Sequence, residues 1–235
     1  MFIVSLVICS CSGLRLLTYN IRNAKGMDNK VDYDRIAVVI RNAHADVIAL
    51  QELDSATRRS NKEDVLKTLA GKTGLFGIYA AAISFQEGRY GVGILSKQKP
   101  LNHYTIPLPG KEEQRVLLVA EFEHCVIFCT HLSLTEADRL TSVAIINEQA
   151  NKFTKTIYLL GDLNAEPNSN VLSALKEKWI LLSGEGSTFP SASPEKCIDY
   201  ILVLNNKKVK VLSKNVINEP MASDHRPVLV QVNQK

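Results

Sequence analysis

The sequence predicts a four-layer α/β/β/α sandwich, two packed and mostly antiparallel sheets flanked by helices. Two observations lead there: short β-rich apolar runs outnumber helical patterns, and several consecutive runs lie close enough to form hairpins. The chain has 235 residues and shows no internal repeat, low-complexity linker or composition break after residue 14, so residues 14–235 read as one domain.

Leu14 to Ile21 is apolar on both faces, as an inner strand is. Asp32 to Ala43 reads as a helix with Asp32 as N-cap and Ile36, Val39 and Ile40 on one side. Asp46 to Gln51 is a second buried strand, followed by strands at Tyr90 to Ser96, Arg115 to Phe122 and Cys125 to Thr130. Ser133 to Glu136 has a capping-box pattern and opens a helix to Phe153, with Ala137, Leu140 and Ala144 at helical spacing. Thr156 to Leu160 is a strand, Ser169 to Lys178 a helix and Ile198 to Leu204 a strand. A turn at Asn205-Asn206 leads into Val209 to Leu212, with Lys207, Lys208 and Lys210 on a solvated edge, and Pro227 to Val232 is the last strand.

Hydrophobic residues at 46%, charged residues at 22% and a mean hydropathy of −0.01 exclude a disordered tail, a collagen-like chain and a multi-span membrane protein. The net charge of +4 permits an anionic substrate but is too small for a nucleic-acid-coating arm. Residues 1–13 are uncharged, and Phe2 to Cys11 form an apolar run too short to span a bilayer. Ile8-Cys9-Ser10-Cys11 resembles a bacterial lipobox. That implies export to the cell envelope or periplasm and membrane attachment through a lipidated Cys11. If residues 1–13 are not a signal, the protein is cytoplasmic and its first strand begins early. Cys125 and Cys129 lie four apart in an apolar run, about 13 Å along a strand, which forbids a disulfide between them. Cys197 stands alone, so no structural bridge is expected. The chain is read as a monomer.

The polar residues collect at strand ends: Thr18-Tyr19-Asn20, Gln51-Glu52, Thr130-His131, Gly161-Asp162-Leu163-Asn164, Asp199 and Ser223-Asp224-His225. Desolvating a lone ionisable group is costly, so repeated endings of this kind point to one rim where they share a ligand. Carboxylates and amides without a dense Cys/His cluster favour a hard cation, Mg²⁺ or Mn²⁺, over zinc. Such a cation, with histidines for proton transfer and amide donors, suits phosphoester hydrolysis, where negative charge develops and a water must be oriented.

In order, LLTYNIR (16–22), ALQELD (49–54), YGVGILSK (90–97), CTHLSL (129–134), LLGDLNAEP (159–167), CIDYILV (197–203) and SDHRPVLV (223–230) resemble the motifs of the endonuclease/exonuclease/phosphatase superfamily. The resemblance runs from residue 14 to residue 231, and GDLN with SDH is its most specific pair. It implies Glu52 as principal metal ligand, with Asn20 and Asp224 completing the set. It implies Asp162 as the group that positions or deprotonates water, and Asn164 as a donor to a phosphate oxygen. His225 matches the family's catalytic histidine with Asp199 orienting it, His131 a phosphate-contacting position, and Arg115 a recurring arginine acting from behind the site.

Tyr90, Gly91 and Gly93 read as strand packing, and Gly71-Lys72-Thr73 is no P-loop because position 66 is Leu. His44, His103 and His124 lie outside every motif, and Trp179 reads as a core anchor near a helix end. Fold does not choose the substrate, which stays open among nucleic acid, lipid head group and small phosphate ester. No Pro-x-Trp precedes Cys197-Ile198-Asp199, unlike inositol 5-phosphatases, and no lysine follows QELD, unlike abasic endonucleases. A metal-dependent phosphodiesterase or phosphatase is therefore the leading expectation. The alternatives are a nuclease acting on DNA or RNA and a catalytically silent binding module.

Overall fold

The structure, a computed structural model, describes residues 13–205 and 209–234. The leader with Cys11, and the edge lysines Lys207 and Lys208, lie outside the described residues. One sheet contains β1 (Leu14–Asn20), β2 (Val47–Ser55), β3 (Phe76–Phe85), β4 (Gly88–Ser96), β11 (Val209–Val216) and β12 (Val228–Gln234), in the order β11-β12-β1-β2-β4-β3. The other contains β5 (Asn102–Leu108), β6 (Arg115–Glu121), β7 (Cys125–His131), β8 (Thr156–Asp162), β9 (Trp179–Leu181) and β10 (Asp199–Leu204), in the order β5-β6-β7-β8-β10-β9. Four helices accompany them: α1 (Tyr33–Ala43), α2 (Val65–Thr73), α3 (Glu136–Ala150) and α4 (Asn170–Lys176).

Each sheet is mixed, with one parallel pair, β1 with β2 and β7 with β8, and antiparallel pairing elsewhere. Helices α1 and α3 make the crossovers within those pairs, because parallel neighbours need a long return connection. Both strands of each parallel pair therefore end at the same rim. Strands β10 and β12 run antiparallel to their neighbours, so their beginnings reach that rim instead.

Three apolar layers hold the sandwich. Leu16, Ala49, Ile94, Leu118, Ile127, Leu160, Ile201 and Val230 fill the space between the sheets. Leu17, Tyr19, Ile36, Ile40, Leu50 and Leu66 pack the first sheet under α1 and α2. Phe128, Val143, Ile146, Leu159, Leu172 and Trp179 pack the second under α3 and α4. Trp179 is an anchor as expected, buried with its indole N–H donating to Asn147 Oδ1 at 2.7 Å. Cys125, Cys129 and Cys197 are buried free thiols. Among the described residues no helix is long and apolar enough to cross a membrane.

Asp32 caps α1 as predicted, its side chain accepting from the Arg35 N–H, and Ser169 caps α4. The prediction for α3 needs correction. Ser133 opens no capping box, because its hydroxyl is bonded to Glu112 at 2.8 Å and accepts the Thr135 N–H. The helix starts at Glu136 and ends at Ala150, and Ala137, Leu140 and Ala144 face outward. Val143, Ile146 and Ala150 form a competing stripe at the same period, and the branched Val143 and Ile146 with Ala150 fill the layer above Phe128. Helix α2 and strands β3, β5 and β9 were not expected from the sequence. The Gly71-Lys72-Thr73 segment ends α2.

Gly161 pairs with Thr130 between β8 and β7, and a Cβ there would collide with the Thr130 carbonyl oxygen. Only glycine lets the strand that carries Asp162 approach its neighbour this closely.

Candidate active site

Period-two alternation selects the site. Leu16, Thr18 and Asn20 point between the sheets, as do Ile127, Cys129 and His131, Tyr158, Leu160 and Asp162, and Asp199, Ile201 and Val203. At the rim the apolar layer runs out, and the residue of each set that reaches it, Asn20, His131, Asp162 or Asp199, is polar. Glu52 breaks the alternation. Its φ is +59°, and the register with β4 slips between Leu50 and Leu53, a bulge that turns the carboxylate back to the inner face.

Asp162 is the hub. Its Oδ2 accepts from Asn20 Nδ2 at 3.1 Å and lies 3.5 Å from His131 Nε2 and 3.7 Å from His225 Nε2. Its Oδ1 accepts the Asn164 N–H at 2.9 Å. Asn20 also donates to Glu52 Oε1 at 3.0 Å, linking the two carboxylates. Asn164 has a φ of +48° and donates from its amide to the Leu132 carbonyl, which fixes the end of GDLN against the loop after His131.

His225 Nδ1 lies 2.9 Å from Asp199 Oδ2, which also accepts from the Thr188 hydroxyl. The Phe189 ring covers the imidazole with centroids 4.9 Å apart. Ser223 donates to the Asn20 carbonyl at 2.8 Å, and Ser191 donates to the Ser223 carbonyl, so the SDH loop is pinned to β1. Asp224, at the outer edge, faces Arg22 Nε at 3.4 Å. Arg115 is buried, pairs with Glu113 at 3.2 Å, and lines a recess with His131 and Tyr90. All nine residues singled out from the motifs are therefore at one rim.

The two histidines are driven apart. Burial, with the nearby Arg115 and His225, holds His131 down to about 4 despite Asp162, so it is neutral at pH 7. Burial also opposes charge on His225, but Asp199 and Asp162 outweigh it and push that imidazole up to about 10. Burial raises the Glu52 carboxyl above its usual range. The Asn20 hydrogen bond offsets this in part, and the charges of Asp224 and Asp162 raise it further. These oxygen donors, crowded and half-buried, fit a hard divalent cation, which would relieve the repulsion that raises Glu52. Asp162, Asp199 and His225 also offer ligand atoms within 4.8 Å of one another. Asp199 and His225 already satisfy each other there, which leaves Glu52 and Asp224 as the carboxylates that could hold a cation.

Several contributors carried no sequence signal. Tyr90 was read as packing, yet it lines the recess beside His131 and Arg115; Gly91 and Gly93 do serve close strand contacts, with Ala80 and Leu53. Thr188 and Phe189 reach the site from a loop without a motif. His44, His103 and His124 are exposed. A cleft of about 440 Å³ beside Gly13, Asp46, Lys97 and Phe122 holds none of the nine residues.

Glu112 is a further missed residue. Partial burial disfavours its charge, but the Leu134 N–H and the Ser133 and Thr135 hydroxyls outweigh that and hold its carboxyl down to about 2. A depressed carboxylate stabilises the fold above its unfolded pKa of roughly 4.3, and the contribution is lost as pH falls through about 2. Glu112→Gln is expected to lower the urea midpoint at pH 7 and to match the parent protein near pH 2. Equal midpoints at pH 7 would show that the carboxylate does not brace the loop after His131.

The model of the endonuclease/exonuclease/phosphatase family matches residues 17–225. The chain belongs to this family. Members of the endonuclease/exonuclease/phosphatase family hydrolyse phosphoesters. A protein of Escherichia coli (strain K12), YbhP, is 24% identical, the match covering 93% of this chain and 96% of that one. An endonuclease/exonuclease/phosphatase structure from Beutenbergia cavernae superposes with a TM-score of 0.78 at 20% identity, covering 95% of this chain and 72% of that one. The mannosyl-6-phosphatase Bt3783 of Bacteroides thetaiotaomicron gives 0.75 at 18% identity, covering 93% and 99%. These structural likenesses establish the shared fold.

Proposed function

We propose that this protein hydrolyses a phosphoester with the help of a divalent cation held by Glu52 and Asp224 beside Asn20. The observation that carries the reading is the convergence of Asn20, His131 and His225 on one oxygen of Asp162. Asp162 orients the attacking water and accepts its proton. His225, kept protonated by Asp199, lays a positive N–H where charge grows on the phosphate oxygens. Neutral His131 and the Asn164 amide donate to the same group. Arg115, behind His131, sets the local field without touching the reacting atoms. When bound, Mg²⁺ or Mn²⁺ supplies further neutralisation of the phosphate charge.

The fold neighbour from Bacteroides thetaiotaomicron acts on a sugar phosphate by its name, which supports a small phosphate ester as substrate. Purified protein should release p-nitrophenol from bis-p-nitrophenyl phosphate with Mg²⁺ or Mn²⁺ and lose that activity in EDTA. A parallel panel of sugar phosphates, sphingomyelin and plasmid DNA assigns the substrate. Turnover unaffected by EDTA, or none across the panel, overturns the reading.

A further inference from the structure

Beyond the hydrolytic centre, and resting on the reading just given, one feature is prepared for a ligand. Asp54 is fully buried two residues past Glu52. It accepts Arg59 Nε at 2.7 Å and Arg59 Nη2 at 2.8 Å, a two-pronged pair, and the Thr57 hydroxyl at 2.7 Å. The Arg59 guanidinium lies 4.6 Å from the Phe85 ring centroid and 5.5 Å from that of Tyr90. Its side chain is still 40% exposed, and Nη1 makes no hydrogen bond among the described residues.

Such a guanidinium is pre-organised: Asp54 holds one edge, the adjacent Phe85 and Tyr90 rings, with centroids 6.1 Å apart, flank it, and Nη1 is left free among the described residues at little further entropic cost. Tyr90 joins it to the centre, since the same ring lines the recess beside His131 and Arg115. Tyr90 also pairs with Asp54 across the ladder. Because Asp54 neutralises Arg59, any net attraction must come from the neighbours. Residues 55–63 and 86–89 carry Arg58, Arg59, Lys62 and Arg89 against Glu63 and Glu87. Lys62 is spent on Glu87, whereas Arg58 and Arg89 are exposed and make no ion pair among the described residues.

We infer that Arg59, with Arg58 and Arg89, forms a second anion subsite, and that the substrate carries a second phosphate group flanking the one that is cleaved. Arg59 is a specificity-determining residue that binds this group and takes no part in bond cleavage.

The test compares two p-nitrophenyl esters of thymidine 5′-phosphate, one with a free 3′-hydroxyl and one with a 3′-phosphate, under Mg²⁺. The parent protein should favour the doubly phosphorylated ester about tenfold in kcat/KM, mainly through KM, with the preference falling as salt rises. Arg59→Gln should bring the ratio to within twofold of unity, and Arg59→Lys should restore part of it. Because Arg59→Gln leaves Asp54 buried and unpaired, the Asp54→Asn/Arg59→Gln double variant and the surface variant Arg58→Gln/Arg89→Gln provide folded versions of the same test. A p-nitrophenyl tetranucleotide separates the sources of the flanking phosphate: a further gain marks a polynucleotide, and none marks a small bisphosphorylated ester. Turnover of both esters without preference, or a preference that survives in all the folded variants, overturns the subsite and leaves the hydrolytic centre standing. No turnover of either ester overturns the subsite, and the hydrolytic centre falls with it only where the phosphoester panel also shows no turnover.

Discussion

Asp162→Asn is expected to reduce metal-dependent phosphoester hydrolysis by about a thousandfold, the scale of a lost general base. The substitution is nearly isosteric. The asparagine Oδ1 can keep the Asn164 N–H bond, so the GDLN turn retains its shape. Its Nδ2 then faces Asn20 Nδ2 and two imidazole nitrogens, all of them donors or electropositive edges, where the carboxylate had accepted. An amide there can neither take a proton from water nor balance protonated His225. The comparison needs kcat for both proteins and a urea melt showing that the variant is folded. Activity within tenfold of the parent in a folded variant would remove Asp162 from the chemistry.

The second large effect concerns the His225–Asp199 pair. Asp199→Asn should cost roughly a hundred- to ten-thousandfold in kcat, since the carboxylate both orients the ring and keeps it charged. His225→Ala should cost as much and also about 3 kcal/mol of stability, because it strands a buried carboxylate whose other partner is the Thr188 hydroxyl. The two act as one device, so the double variant should be no slower than His225→Ala alone. Losses that multiply would mean that Asp199 serves the fold and not the imidazole.

The stretches that were legible in the sequence share one property: their information is local. Asn20, His131 and Asp162 could be placed because each stands where an apolar run gives way to polar residues, which is visible whatever the partner strand is. Asp32 could be placed as a cap for a similar reason, since the N–H group it satisfies is three residues away. Glu52 was identified by its motif, but alternation alone would have pointed it at α1 and α2; the bulge that redirects it depends on pairing with β4. Helix α3 shows the opposite failure. Its local cap and apolar stripe were readable, yet Glu112, more than twenty residues upstream, captured the capping serine, and the neighbouring sheet selected the other stripe.

The chain order of residues by itself determined the layered fold, the rim where the polar strand ends meet and the hydrolase family, because periodicity and short motifs are written within a few positions. Only the tertiary structure decided that three side-chain nitrogens would gather at one oxygen of Asp162 and that burial and neighbouring charge would push His131 and His225 in opposite directions. Each of these depends on desolvation and on charges brought together from distant segments, and no stretch of chain carries that information alone.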